Sequence, residues 1–461
     1  MKKYELIVIG TGPAGEKAAV KAAYFGHKVA IIEKEVRFGG AEVVTGTLPS
    51  KTLKETALYF SGKYEKGLFG IDRDLKREAS IEDFMYRKNY VTSAVEHEVE
   101  ENLKRHGVEI IKGTATFQDP HTIVVNGEEY YGDYIIIATG SYPFHPANIP
   151  FDGKRVHDSD TILQITDFPH SLCVVGAGVI GCEYATIFST MGTEVSLVND
   201  KDKILSQIDR EVSSDLVTQM QSSGVNIYFN TTIEKVELGE KITVTLNSKQ
   251  TFQVDMFLYA AGRSGHIKEL NCEKIGLALG KRETILVNEQ YQTNIPHIYA
   301  VGDVIGFPSL ASTSMDQGRV AVAYIFKTED LKHLPTCLPY GIYTVPEVSM
   351  VGITEEEAIA AKVPYLTGKA RYSDMARGQI MGAKAGFLKL IFNKNDQTIL
   401  GVHIIGHIAS ELIHYGMTLV EDKKTLYQLI GQVFNYPTLH DLYKYAAYDG
   451  LSTLSGHRVK P

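Results

Sequence analysis

Residues 4–15 read Tyr4-Glu5-Leu6-Ile7-Val8-Ile9-Gly10-Thr11-Gly12-Pro13-Ala14-Gly15. The first six form an apolar run of strand length, as expected of a parallel strand buried on both faces. An alanine-rich, helix-forming stretch then runs to Phe25, and Gly26 closes it. Lys28 to Ile32 reads as the next strand, with Glu33 at its end. Strand, glycine turn, helix, strand and terminal acid together make a complete β–α–β unit with dinucleotide-binding spacing. Gly10 supplies the tight turn, Gly12 lets backbone approach a pyrophosphate, and Gly15 lets helix and strand pack closely. The helix N-terminus offers free N–H groups and partial positive charge to phosphates. Glu33 is placed to accept hydrogen bonds from ribose hydroxyls.

The pattern returns farther along. Ser171 to Val175 is a strand, and Gly176-Ala177-Gly178-Val179-Ile180-Gly181 repeats the glycine spacing. A helix from Cys182 to Met191 and a strand at Glu194–Val198 follow. Two such units predict two dinucleotides. The second strand ends in Asn199-Asp200-Lys201-Asp202-Lys203. An acid there favours NAD through the ribose 2′-hydroxyl, and a nearby arginine favours NADP. Asn199 does neither, while Lys201 and Lys203 offer positive charge beside two acids, so the sequence does not choose. A strand at Met256–Tyr259 leads to Ala260-Ala261-Gly262-Arg263, which closes the second unit.

The remaining segments frame these units. Ile81 to Leu103 is a long packing helix, with Ile81, Phe84, Val91, Val95, Val99 and Leu103 on one face. Strands at Glu109–Ile111, Thr122–Val125 and Tyr134–Ile137 follow, the last delivered into Ala138-Thr139-Gly140. Another apolar strand at 298–301 ends in Gly302-Asp303. From about Pro339 the pattern changes to antiparallel hairpins, with Phe387–Phe392 turning at Asn393–Asp396 into Ile399–Ile404, and with flanking helices.

A chain of 461 residues implies about three domains. The net charge of −8 argues against nucleic acid or an anionic membrane as the main partner. The four cysteines form no CxxC and no metal-ligand spacing, which fits a reducing cytoplasm and no metal. No apolar run approaches the roughly 18 residues of a membrane helix. The apolar run after Met1-Lys2-Lys3 is too short for a signal peptide.

A second stretch specifies the chemistry: Gly39-Gly40-Ala41-Glu42-Val43-Val44-Thr45-Gly46-Thr47-Leu48-Pro49-Ser50-Lys51. It reads as a glycine-rich loop feeding a helix, with Pro49 near the helix start and Lys51 in the first turn. It resembles the active-site segment of the flavoprotein disulfide reductases. That family carries redox cysteines where this chain has Glu42 and Thr47. Its C-terminal His-Pro-Thr-x-x-Glu, whose histidine serves the thiols, is matched here by Tyr436-Pro437-Thr438-Leu439-His440-Asp441. Thiols and base are therefore absent together, and disulfide reduction needs a thiolate. The tail, Ser455 to Pro461, supplies no thiol either. Cys182 reads as a small buried residue at a helix start, not as a surrogate.

With Gly178-Val179-Ile180-Gly181-Cys182-Glu183-Tyr184, these segments are most similar to the soluble transhydrogenase branch of the family, over essentially the whole chain. That branch usually keeps the first cysteine, and Glu42 departs from it. The resemblance implies an α/β fold with two Rossmann-like dinucleotide-binding domains and a C-terminal α+β dimerisation domain. The implied domains are 1–147 with 266–335 for FAD, 148–265 for NAD(P), and 336–461 for a homodimer interface whose tail enters the partner's active site. FAD would be held by Gly10, Gly12, Gly15, Glu33, Gly39, Gly40, Thr47, Lys51, Ala115, Thr139, Gly140, Gly302, Asp303 and Ala311. The nicotinamide nucleotide would be held by Gly176, Gly178, Gly181, Glu183, Asn199, Lys201, Gly262 and Arg263. Lys51 and Glu183 would pair beside the flavin's reactive nitrogen, with Tyr436 and Asp441 completing the catalytic set. The implied reaction is hydride exchange between NADPH and NAD⁺ through FAD. An NAD(P)H oxidase or diaphorase, and a nucleotide-binding redox sensor or scaffold, are the alternatives.

Overall fold

The computed structural model describes residues 1–62, 80–330 and 333–456, so the tail from His457 to Pro461 lies outside the described residues. The chain opens with β1 (Lys2–Ile9), α1 (Pro13–Tyr24) and β2 (Val29–Glu33). Two helices follow, α2 (Gly40–Val43) and α3 (Thr47–Phe60), then the long α4 (Ile81–Arg105). Strands β3 (Glu109–Lys112), β4 (Thr116–Phe117), β5 (Thr122–Val125) and β6 (Glu128–Ile137) complete the first run. They form a sheet ordered β3-β2-β1-β6-β5-β4. Along β1 the side chains alternate: Leu6 and Val8 enter one apolar cluster, Ile7 and Ile9 another. Burial on both faces explains the unbroken apolar run.

The second sheet is built from β8 (Val156–Asp158), β9 (Ser171–Val175), β10 (Glu194–Val198), β11 (Val225–Tyr228) and β15 (Met256–Tyr259), ordered β11-β10-β9-β15-β8. Helices α5 (Val179–Thr190) and α6 (Arg210–Ser222) accompany it. A three-stranded meander of β12 (Ile233–Leu238), β13 (Ile242–Leu246) and β14 (Thr251–Val254) covers it. The short strands β7 (Ser141–Pro143) and β16 (Arg263–Gly265) pair with each other where the chain leaves and returns. Strand β17 (Ile298–Ala300) then pairs in parallel with the C-terminal half of β6, and α7 (Ala311–Phe326) packs on α1. The second sheet is thus inserted between two parts of the first unit.

The last region is a five-stranded antiparallel sheet of β18 (Tyr340–Ile342), β19 (Glu347–Gly352), β20 (Tyr365–Arg371), β21 (Phe387–Asn393) and β22 (Ile399–Gly406). Their order is β18-β19-β22-β21-β20. Helices α8 (Glu355–Ala360), α9 (Ala376–Ile380), α10 (Ala409–Glu421), α11 (Leu426–Ile430) and α12 (Asp441–Ser455) flank it. One apolar cluster joins all three regions, taking Leu53 and Phe84 from the first, Leu172 and Val174 from the second, and Ile342 and Phe387 from the third.

Two local expectations are corrected. The segment before α3 is not all loop, because residues 40–43 make a helical turn. Lys51 stands in the second turn of α3, because the helix begins at Thr47 rather than at Pro49. Among the described residues, no helix is long and apolar enough to cross a membrane.

Candidate functional site

The first glycine turn closes as its sequence requires. A Cβ on Gly15 would lie 1.9 Å from the Gly10 carbonyl oxygen, so only glycine lets α1 rise this close to the strand end. The second turn repeats this at Gly181 and Gly176, at 1.8 Å. Gly40 has φ +54, and a Cβ there would stand 2.9 Å from the Gly12 α-carbon. The two glycine segments are therefore stacked backbone to backbone. Gly39, at φ +92, donates its N–H to Thr11 Oγ1.

The first turn, with Gly40 stacked on it, opens onto a cavity of about 540 Å³. Of the residues expected at the flavin, Gly10, Gly12, Glu33, Gly40, Thr47, Ala115, Thr139, Gly140, Gly302, Asp303 and Ala311 line it, and Gly15, Gly39 and Lys51 do not. Glu33 Oε2 accepts from the N–H (2.9 Å) and hydroxyl (2.5 Å) of Thr11, and Oε1 accepts from the Glu35 N–H. Both oxygens are thus engaged within the chain, and the residue still lines the cavity. Thr139 Oγ1 is buried with no hydrogen-bond partner among the described residues. A buried hydroxyl left unpaired is costly, and one on this wall suits a ligand's polar atoms. Asp303 accepts from the Ser141 hydroxyl at 3.1 Å, and the Gly302 N–H is tied to Gln317 at 2.7 Å. An elongated cavity walled by glycine turns, with an acid at a strand end and an orphan hydroxyl, fits a dinucleotide. Glu42 lines the same cavity, half-buried. Burial raises its carboxyl above the ordinary value, Lys17 opposes the shift and Glu16 reinforces it.

Lys51 and Glu183 meet across 132 residues of sequence. Lys51 Nζ lies 2.7 Å from each Glu183 oxygen. Glu183 is buried on α5, just past the second glycine turn, and also accepts from the Tyr343 N–H at 3.0 Å and the Ser50 hydroxyl at 3.3 Å. The pair thus bridges the two α/β units, with a backbone donor from the third region. Cys182, beside it, is fully buried, and burial pushes its thiol far above the usual range. It is packing, not a nucleophile.

At the second nucleotide turn, Gly178 has open space where a Cβ would point. The buried Asn199 uses its amide on the loop itself. Its oxygen accepts from the Ala177 N–H, and its nitrogen donates to the Lys201 and Lys203 carbonyls. Lys203 turns away to Glu356 at 2.7 Å, which leaves Lys201 as the exposed cation of the cluster. Arg263 spends its guanidinium on Ser141, Ser159 and Asp160, at the wall of the first cavity. Gly262 instead carries the Arg282 guanidinium against it. Tyr436 is 71% exposed on a loop, and Asp441 starts α12. Neither shares a hydrogen bond or ion pair with Lys51 or Glu183 among the described residues. Sequence reasoning missed Tyr343, whose ring lies under Lys51, because an aromatic beside a strand reads as core.

Comparison with known proteins agrees with this geometry. The pyridine nucleotide-disulphide oxidoreductase family matches residues 4–318, and its dimerisation domain matches residues 338–447. The soluble pyridine nucleotide transhydrogenase of Mycobacterium bovis is 42% identical over 98% of both chains. That of Pectobacterium atrosepticum is 40% identical, again over 98% of both. Among solved structures, the Cu(II) complex of the HOCl-induced flavoprotein disulfide reductase RclA from Escherichia coli superposes with a TM-score of 0.88. It has 25% identity and covers 97% of this chain and 99% of that one. These matches imply binding of a flavin and a nicotinamide nucleotide by an oxidoreductase. The chain belongs to the pyridine nucleotide-disulphide oxidoreductase family, on the branch of the soluble pyridine nucleotide transhydrogenases.

Proposed function

We propose that this chain exchanges hydride between NADPH and NAD⁺ through a bound FAD, in two half-reactions at one nucleotide site. The observation that carries the reading is the Lys51–Glu183 bridge, kept intact where Glu42 and Thr47 replace the family's redox cysteines. FAD would lie in the cavity between Gly10, Gly12, Glu33, Thr139 and Asp303, with the Thr139 hydroxyl and the α1 N-terminus as its polar partners. Bound there, a flavin accepts hydride from one nicotinamide and returns it to another.

The chain's own residues do the rest. Gly176, Gly178 and Gly181 receive the nucleotide's pyrophosphate at the N-terminus of α5. With a flavin bound, Lys51 would offer positive charge toward its reduced form, and Glu183 holds that ammonium in place at 2.7 Å. Asn199, engaged with its own loop, neither demands a 2′-hydroxyl nor repels a 2′-phosphate, which suits one site serving both nucleotides. The exposed Lys201 would sit on the phosphate side. Tyr436 and Asp441 would act across a homodimer, and a cytoplasmic location accords with the unpaired cysteines.

The test is anaerobic. FAD-loaded protein is mixed with NADPH and thio-NAD⁺, and thio-NADH is followed at its own wavelength. Fast formation is the expected result. A flavin that bleaches without forming thio-NADH would overturn the reading in favour of another electron acceptor.

A further inference from the structure

The Lys51–Glu183 pair is gripped from the third region by a single residue. Tyr343 lies between β18 and β19, and its N–H donates to Glu183 Oε1 at 3.0 Å. Its ring centroid is 4.9 Å from Lys51 Nζ. One residue therefore touches both partners, main chain on the carboxylate and ring on the ammonium.

The ring has a second neighbour on α3. Lys54, one helical turn after Lys51 on α3, also approaches it, at 5.7 Å. Lys54 is nearly buried and pairs with Glu347 at 2.5 Å. Burial alone would lower the Lys54 ammonium, but the Glu347 and Glu55 carboxylates together outweigh it and the net shift is upward. Glu347 in turn accepts from the Ser410 N–H (3.0 Å) and hydroxyl (2.7 Å). Glu347 thus ties α3, the helix that carries Lys51, to the start of α10.

A lysine ends in a compact ammonium on a flexible four-carbon stem. Glu183 offers it two oxygens at 2.7 Å, and the Ser50 hydroxyl adds a longer contact at 3.3 Å. A tyrosine face attracts a cation through the ring quadrupole and adds a further, independent contact. We propose that Tyr343 is a positioning residue for hydride transfer, its ring holding the Lys51 ammonium in register with Glu183. The inference rests on the reading that Lys51 serves the flavin. It makes the antiparallel region part of the redox site within one chain.

The experiment uses flavin-loaded full-length protein carrying Tyr343→Leu or Tyr343→Phe. Anaerobic flavin bleaching by NADPH is measured against NADPH concentration, together with flavin occupancy, melting temperature and the potential of the bound flavin. In Tyr343→Leu the limiting bleaching rate is expected to fall about tenfold, with NADPH affinity unchanged and the flavin potential moved downward. Tyr343→Phe, which keeps the ring, is expected to retain the wild-type rate and potential. A leucine variant that bleaches at the wild-type rate overturns the proposal. So does a phenylalanine variant that falls as far as leucine, since the hydroxyl and not the ring would then carry the effect. Should the leucine variant fail to hold flavin, Tyr343→Met takes its place under the same expectations. Bleaching is scored apart from thio-NADH formation, so a failure of transhydrogenation leaves this comparison readable.

Discussion

Lys51 Nζ lies 2.7 Å from both Glu183 oxygens, and the two side chains come from helices of different α/β units. Lys51→Met removes the charge without touching the cavity wall. It should slow flavin reduction by NADPH roughly a hundredfold while flavin occupancy stays full, as read by stopped-flow absorbance and by released flavin. Unchanged kinetics would remove Lys51 from the mechanism. With Glu42 and Thr47 at the thiol positions, NADPH reduction should also give no thiolate–flavin charge-transfer band. Glu42 carries a pH signature. Its folded carboxyl lies above the ordinary 4.5 because of burial, so the folded state binds more protons than the unfolded one and stability falls as pH rises through that window. Glu42→Gln should therefore melt higher than wild type at pH 8, with the difference vanishing below about pH 4.5, in thermal scans across pH. The Lys51–Glu183 pairing was readable only through the family resemblance, since nothing local to either residue marks it. Tyr343 was not, because it meets Glu183 from 160 residues away and nothing local marks the contact.

The contact that ties α6 to the antiparallel sheet shows what element-scale reading leaves out. Lys389 on β21 is completely buried. Its ammonium reaches Asp209, the N-cap of α6, at 2.8 Å, with Glu355 and Glu211 completing the set. Asp209, Glu211 and Glu355 have the look of a cation cluster, and Lys389 supplies the cation. Burial alone would raise Asp209, but the His403 and Lys389 charges outweigh it and hold it below its usual value. Lys389→Met strands those carboxylates and should cost about 3–5 kcal/mol, measured by denaturant unfolding at neutral pH. A lowered aspartate stabilises above its unfolded value and loses that stabilisation on acidification. The gap between wild type and variant should accordingly narrow as pH falls below about 3.8. The sequence pattern showed β21 as a strand from its apolar run, but gave no warning of a buried lysine inside it. The long parallel strands were legible because burial on both faces leaves an apolar run. The three-stranded meander 233–254 was not, because its exposed face alternates with polar residues and its strands are short.

For the molecule as a whole, Val433 is 94% and Tyr436 is 71% exposed on one loop of the antiparallel region, an apolar tip left uncovered among the described residues. With a dimerisation domain matched over residues 338–447, sedimentation should show twice the mass of one chain. Val433→Asp should shift that equilibrium toward monomer in the same measurement. The insertion of one dinucleotide unit inside the other was readable from two glycine motifs followed by a late Gly-Asp strand. The way the parts meet was not, because Leu53, Leu172 and Ile342 join one cluster from distant stretches. That joint also orders events during synthesis. Lys51 emerges early, Glu183 midway and Tyr343 late, and at about 10 residues per second roughly half a minute separates the first from the last. The cavity wall that takes in Gly302, Asp303 and Ala311 is likewise finished only late, so the cavity and the grip on the ammonium mature together as the final sheet docks.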